Sequence, residues 1–347
     1  MYEGNEGRTF RPSLFLTVTL DTYGAVHAHY NSGPTCACGD RHPSDDPLLG
    51  VPTDMASYDY VRAARDAIHF GKLVDRLVQN IRRVAGFEVQ YFAAVEPQRR
   101  LAPHLHLAMR GTLARAEIRQ IVAATYHQVW WPHTDIPAYV DRLPVWDEAT
   151  ETYVDPDNGE VLPTWDEALD AIGDDPDATP AYVARFGPQV DIQGVLAGTP
   201  DADRCIGYLA KYLTKQSAEC HQAETVEQVE HMDRLMAALR FEPCVPTCPN
   251  WLKFGIQPKN AKSGMRPGGC KGKAHSPAHL GYAGRRVLVS RKWSGKTLAD
   301  HRHERRAWVL ANLGLTSDNP EAYRYTWLPV PAGDPLLAAT VSVAVAG

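Results

Sequence analysis

Apolar and polar residues alternate along "SLFLTVTLDTYG" (Ser13 to Gly24), which is rich in β-branched positions and stops at Asp and Gly, so it predicts a strand. Residues 27–57 lose the alternation and fill with Gly, Pro, Asp and Ser, which predicts an irregular surface loop. From Tyr58 the period changes. Val61, Ala64, Ile68, Leu73, Leu77 and Ile81 recur at helical spacing with Arg and Lys between them, and Gly86 stands where a C-terminal cap belongs. "FEVQYFAAVEPQRRLAPHLHLAMRG" then gives two alternating runs around a polar, proline-flanked loop, a hairpin. "ARAEIRQIVAATYHQVWW" predicts a second amphipathic helix. After it comes an insertion with Asp-Pro and Asn-Gly turns and one short helix near "WDEALDAI". "ARFGPQVDIQGV" predicts a strand and "DADRCIGYLAKYLTK" a helix with Asp201 or Asp203 near its N-terminus. Helices segregated against a mostly antiparallel sheet make an α+β domain.

Charge divides this order further. The net charge of −5 over 347 residues conceals 13 Asp or Glu against the single Arg142 between Asp141 and Pro180, and 14 Lys or Arg against Asp300 and Glu304 between Asn250 and Leu310. A basic block attracts polyanions by releasing their condensed counterions, whatever the sign of the total. It points to nucleic acid. Lys253, Lys259, Lys262, Arg266, Arg285, Arg286, Arg291 and Lys292 supply phosphate contacts, and Trp293 a surface on which an unpaired base can stack. Seven cysteines and the absence of a charged-then-apolar leader predict a reducing, cytoplasmic setting. No apolar run reaches the roughly 18 residues of a membrane helix.

The candidate chemistry lies on the hairpin. His104 and His106, two apart on a strand, point to one face at about 7 Å Cα spacing, with Leu105 and Leu107 on the opposite face. Two other His-x-His pairs, His27/His29 and His301/His303, lack such a setting. Glu96 on the preceding arm is placed to face the pair across the two strands, with Gln98 as the alternative third ligand; the carboxylate is preferred because it adds charge compensation. Two imidazoles and a carboxylate leave open positions on a divalent ion, suited to polarising a phosphate. In "IGYLAKYLTK", Tyr208, Lys211, Tyr212 and Lys215 share one helical face. A phenol serves as a nucleophile when neighbouring ammonium groups favour its phenolate.

Cys244, Cys248 and Cys270, followed by His275 and His279, fit a closed tetrahedral zinc site in a Gly- and Pro-rich segment, with His275 favoured for its shorter spacing. Such an ion pins the basic segment into a DNA-binding platform. Cys36 and Cys38 have no partners nearby, and Cys205 and Cys220 lie around the predicted tyrosine helix.

"FLTVT", "EPQRRLAPHLHLAMRG" and "YLAKYLTK", in that order, resemble the three motifs of the HUH endonucleases that initiate rolling-circle replication, most closely the RepSA-like initiators of actinomycete plasmids and integrative elements. The likeness extends through "YHQVWWP", "GVLAGTPDAD", "GIQPKNA" and "RRVLVSRKWSGKTLADH". It implies an RRM-like antiparallel sheet with helices on one face and Mg²⁺ or Mn²⁺ on His104 and His106. The helix of Tyr208 and Tyr212 would pack over that metal. Such enzymes nick one strand of origin DNA, single-stranded or extruded as a hairpin, and hold the 5′ phosphate on tyrosine. They leave a 3′ hydroxyl for a polymerase, and a host helicase is the further partner implied. A relaxase or transposase of the same superfamily, and an origin-binding protein that does not cut, are the competing readings. The expected organisation is an endonuclease domain over 10–225 containing loop 27–57 and acidic insertion 141–190, a zinc-containing basic region over 240–310, and a tail over 311–347.

Overall fold

The computed structural model describes residues 2–3, 9–10, 13–30, 35–196, 199–211, 223–290, 303 and 307. The chain divides into two compact units, Met1–Ser290 and Arg291–Gly347, and the architecture below belongs to the first. Its strands are β1 (Tyr2–Glu3), β2 (Thr9–Phe10), β3 (Ser13–Leu20), β4 (Gln90–Pro97), β5 (Pro103–Arg110), β6 (Tyr126–Val129), β7 (Val145–Asp147), β8 (Thr152–Val154), β9 (Tyr182–Val195) and β10 (Val287–Val289). The helices are α1 (Tyr60–Val84), α2 (Arg115–Ala124), α3 (Trp165–Asp174), α4 (Pro200–Lys211) and α5 (Val226–Phe241). β1 pairs with β2 and β7 with β8. The other six strands form one antiparallel sheet in the order β10-β4-β5-β3-β9-β6.

Strand alternation sorts the two faces. Leu14, Leu16, Val18 and Leu20 of β3 and Leu105, Leu107 and Met109 of β5 turn to one face, where Phe70, Leu73, Val74, Leu77 and Ile81 of α1 and Ile118, Ile121 and Val122 of α2 cover them. Each Leu buried there stabilises the fold by about 2–5 kcal/mol relative to Ala. α1 starts where Asp59 Oδ1 accepts from the Arg62 amide at 2.9 Å. On the other face Phe15 and Ala94 pack against Leu209 of α4. Helices thus lie on both faces of the sheet, not on one, because Phe15 and Ala94 give the second face its own apolar patch.

Two boundaries differ from the sequence expectation. Helical periodicity runs on to Trp131, yet α2 stops at Ala124 and Tyr126–Val129 form an edge strand antiparallel to Tyr182–Arg185. Thr125 and the alternating residues after it suit a pleated edge better than a further helical turn. At the end of α1 the cap is Ala85 in extended conformation, and Gly86 adopts no left-handed φ. Gly187, by contrast, is required. A Cβ there would lie 2.9 Å from the Leu20 carbonyl carbon and oxygen, where β9 bulges past the end of β3.

A second core joins the front of α1 to α5 and the cysteine-bearing segment: Ala64, Ile68, Leu235, Leu239, Cys244, Cys248, Trp251 and Trp165. The acidic insertion sits on this segment. The Trp165 and Trp251 rings are 4.7 Å apart, Tyr153 Oη donates to the carbonyls of Lys262 and Met265, each at 2.9 Å, and Lys259 pairs with Asp166 at 2.9 Å. Among the described residues no helix is long and apolar enough to cross a membrane.

Candidate functional site

The pleat that buries Leu105 and Leu107 turns His104 and His106 to the face under α4. Register does the rest: His104 stands opposite Glu96 on β4 and Thr19 on β3, and His106 opposite Ala94 and Thr17. Glu96, His104 and His106 bring one ligand atom each within 4.8 Å of one another. Glu96 Oε1 lies 2.8 Å from His106 Nε2, about the spacing of adjacent ligands on an octahedral divalent ion with bonds near 2.1 Å. The donor set therefore fits such an ion. Gln98 is engaged elsewhere, its Oε1 accepting from Arg100 Nε at 2.8 Å.

Both imidazoles are prepared for ligation. His104 is buried, and its Nδ1 has no hydrogen-bond partner. Burial and the neighbouring His106 hold its pKa down at about 4, so the ring is neutral near pH 7 and has a lone pair to offer. Thr17 Oγ1 lies 3.1 Å from His106 Nδ1 and can accept its proton, which leaves Nε2 facing Glu96. Phe15 stacks on the His106 ring at 5.9 Å and 20°, holding its plane.

α4 delivers the tyrosine. Leu209 and Cys205 anchor the helix on Phe15 and Ala94, and one turn from Cys205 the Tyr208 hydroxyl donates to Glu96 Oε1 at 3.0 Å and lies 2.9 Å from His106 Nε2. Its ring meets that of His106 at 4.6 Å, nearly edge-on. Tyr208 is nonetheless 36% exposed. Lys211 is the last residue of α4, while Tyr212 and Lys215 lie outside the described residues.

Cys244, Cys248, Cys270 and His275 also converge within 4.8 Å. Cys244 Sγ is 3.9 Å from Cys270 Sγ, and Cys248 Sγ 3.7 Å from His275 Nε2. Edges of about 3.8 and 3.6 Å are what a tetrahedron with Zn–S near 2.3 Å and Zn–N near 2.05 Å requires. His275 Nδ1 donates to the Leu239 carbonyl at 2.8 Å, which turns the Nε2 lone pair inward. Gly272 keeps the space open, since a Cβ there would lie 3.1 Å from Cys244 Sγ and 3.3 Å from Cys270 Sγ. His279 is not part of the group.

The basic residues are dispersed. Lys253 Nζ sits 4.2 Å over the Phe241 ring, Lys259 is paired with Asp166, and Arg286 Nε donates to the Val95 carbonyl at 3.2 Å. Lys262, Arg266 and Arg285 are exposed, and Arg291, Lys292 and Trp293 lie outside the described residues.

One group contradicts the sequence reading. Cys36 and Cys38 do have partners, since they converge with His27 and His42 within 4.8 Å. The only local signal was the density of Cys and His in an otherwise irregular loop. The loop's folding, not its spacing, brings them together.

The chain matches the family model described as RepSA, replication initiator protein, pSAM2, over residues 4–342. It is 27% identical over 255 residues to a protein of Streptomyces ambofaciens described as a replication initiator protein, an alignment covering 69% of this chain and 52% of that protein. The chain thus spans about half the length of the curated relative it matches. No solved structure matches it.

Proposed function

This chain belongs to the RepSA family of replication initiators, and on that premise we propose that it nicks one strand of origin DNA through a tyrosine nucleophile and starts rolling-circle replication of a plasmid or integrative element. The observation that carries this reading is the Tyr208 hydroxyl, held at hydrogen-bond distance from both Glu96 and His106 on the sheet face beneath α4. Tyr208 presents its oxygen to a phosphodiester lying over that face, and its proton leaves to solvent as the oxygen–phosphorus bond forms. The bond from phosphorus to the 3′ oxygen breaks. The 5′ phosphate remains on Tyr208, and the departing 3′ oxygen takes a proton from solvent to become the primer hydroxyl, which host polymerase and helicase then use. His104, His106 and Glu96 would hold Mg²⁺ or Mn²⁺, which would supply Lewis-acid polarisation of the phosphate and offset its developing charge.

Cys244, Cys248, Cys270 and His275 hold a structural zinc ion that fixes the segment carrying the exposed Lys262 and Arg266 against α5. That segment is the proposed contact for the DNA backbone.

The test is incubation of the purified chain with single-stranded origin DNA from its own element, with Mn²⁺ or with EDTA, followed by a denaturing gel and peptide mass spectrometry. A metal-dependent adduct on Tyr208 supports the reading. Binding to a verified origin without cleavage replaces it with an origin-binding role.

A further inference from the structure

We propose that His27, Cys36, Cys38 and His42 form a second zinc site, which staples the loop between β3 and α1 and braces the hairpin turn leading into His104. The inference does not depend on the nicking reading. His27 Nδ1 and His42 Nε2 are 3.1 Å apart, Cys38 Sγ is 3.2 Å from His42 Nε2, and Cys36 Sγ is 3.9 Å from His27 Nδ1. A tetrahedral zinc ion with two thiolates and two imidazoles needs edges of about 3.3 Å between nitrogens and about 3.6 Å between nitrogen and sulfur. All three contacts lie within a few tenths of an ångström of those edges.

The surroundings prepare these atoms as ligands. His42 Nδ1 donates to Asp46 Oδ2 at 2.8 Å, the carboxylate–histidine pairing that leaves Nε2 with a lone pair facing the group. The Asp40 amide donates to Cys38 Sγ at 3.4 Å, as the Gly272 amide does to Cys270 Sγ in the other cysteine cluster. Backbone amides aimed at sulfur stabilise thiolate. Both cysteines are free thiols.

The fold also has a need for such an ion. Among the described residues of 21–59 the chain contains no helix and only an isolated bridge between Val26 and Pro52, a length of irregular backbone that is uncommon within a compact domain. The loop bears directly on the turn before β5. The Asp46 carbonyl accepts from Arg99 Nη1 at 3.1 Å, and Tyr58 Oη donates to the Arg100 carbonyl at 2.6 Å. Gly50, at φ +85°, packs so closely that a Cβ there would lie 2.6 Å from Arg99 Cβ. Arg100 in turn donates to the carbonyls of Leu20 and Asp21, at the end of the central strand. An ion on His42, through Asp46, therefore holds the turn from which His104 departs.

The experiment is metal quantification on the purified full chain after removal of loosely bound ions, beside timed thiol alkylation read by peptide mass spectrometry. The wild-type chain is expected to retain two zinc equivalents. The double variant Cys36→Ser/Cys38→Ser should lose one of them, and Cys244→Ser/Cys248→Ser the other. Retention of wild-type zinc by the Cys36/Cys38 variant overturns the proposal. If that variant does not fold, alkylation of the wild type decides. Cys38 is exposed, so a bare thiol there reacts at once, whereas a zinc-bound one reacts at least tenfold faster after a chelator is added. Equal rates before and after chelation overturn the site.

Discussion

Tyr208 on α4 and Glu96 on β4, 112 residues apart in sequence, are joined by a 3.0 Å hydrogen bond from phenol to carboxylate. The contact exists because two apolar side chains of one helix, Cys205 and Leu209, seat it on the sheet face that the histidines share. Phenol and carboxylate are thereby set by packing, and substitutions at the two ends should have separable effects.

On the proposed mechanism, Tyr208→Phe removes the attacking oxygen and keeps the ring against His106. Nicking is expected to fall by roughly 10³-fold or more, while origin binding changes by less than about twofold. Single-turnover cleavage on a denaturing gel, beside a binding titration at fixed salt, measures both. Residual cleavage near the wild-type rate would move the nucleophile to Tyr212.

His104→Ala should divide activity from stability. The buried Nδ1 has no hydrogen-bond partner, so its removal relieves a desolvated polar group and offsets the lost packing. Thermal midpoint should shift by only a few degrees, while Mn²⁺ affinity, followed by titration calorimetry, weakens by about tenfold or more. A large fall in the midpoint would make His104 a packing residue first.

Cys248 is fully buried in the core that also holds Leu235 and Leu239 of α5 and Trp251. Cys248→Ser, or a strong zinc chelator on the wild type, should lower stability by several kcal/mol, seen as an earlier calorimetric transition. The chelator should add little to the variant beyond the effect of other bound zinc.

Asp66 gives a pH dependence whose sign is fixed. Burial raises its pKa to about 6, although Tyr23 and Tyr182 donate to its two oxygens at 2.9 and 2.7 Å. The folded chain thus holds a proton there that the unfolded chain releases near pH 4. This contribution to stability is full below about pH 4, declines as pH rises through about 6, and is then constant, a span of roughly 3 kcal/mol. The Asp66→Asn variant should lack this decline. Denaturant titrations of both proteins from about pH 4.5 to 7.5, compared as differences, test it; parallel curves would place the Asp66 pKa in the ordinary carboxylate range.

The parts of the fold read from sequence are those governed by short-range period. Alternation along β3 and β5 shows which side of the strand His104 and His106 occupy, and a short hairpin puts Glu96 within reach, so this group follows from local geometry. The end of α2 did not, because "TYHQVWW" keeps a helical spacing and only pairing with distant β9 makes it a strand. The His27 cluster was hidden for a related reason. In that His-x-His pair only His27 joins the group, while His29 Nδ1 contacts the His42 carbonyl at 2.6 Å, so the spacing that marks a strand pair elsewhere carries no information in an irregular loop.

β10 has the last word on how this protein can be divided. Val287–Val289 follow the cysteine segment in sequence yet pair with Phe92–Ala94, the outer neighbour of the histidine strand. A chain cut after α5 would leave β4 with a bare, unpaired edge, an invitation to aggregate. The six-stranded sheet and the cysteine segment therefore cannot be exchanged between relatives as independent cassettes: any graft must carry the returning strand with it.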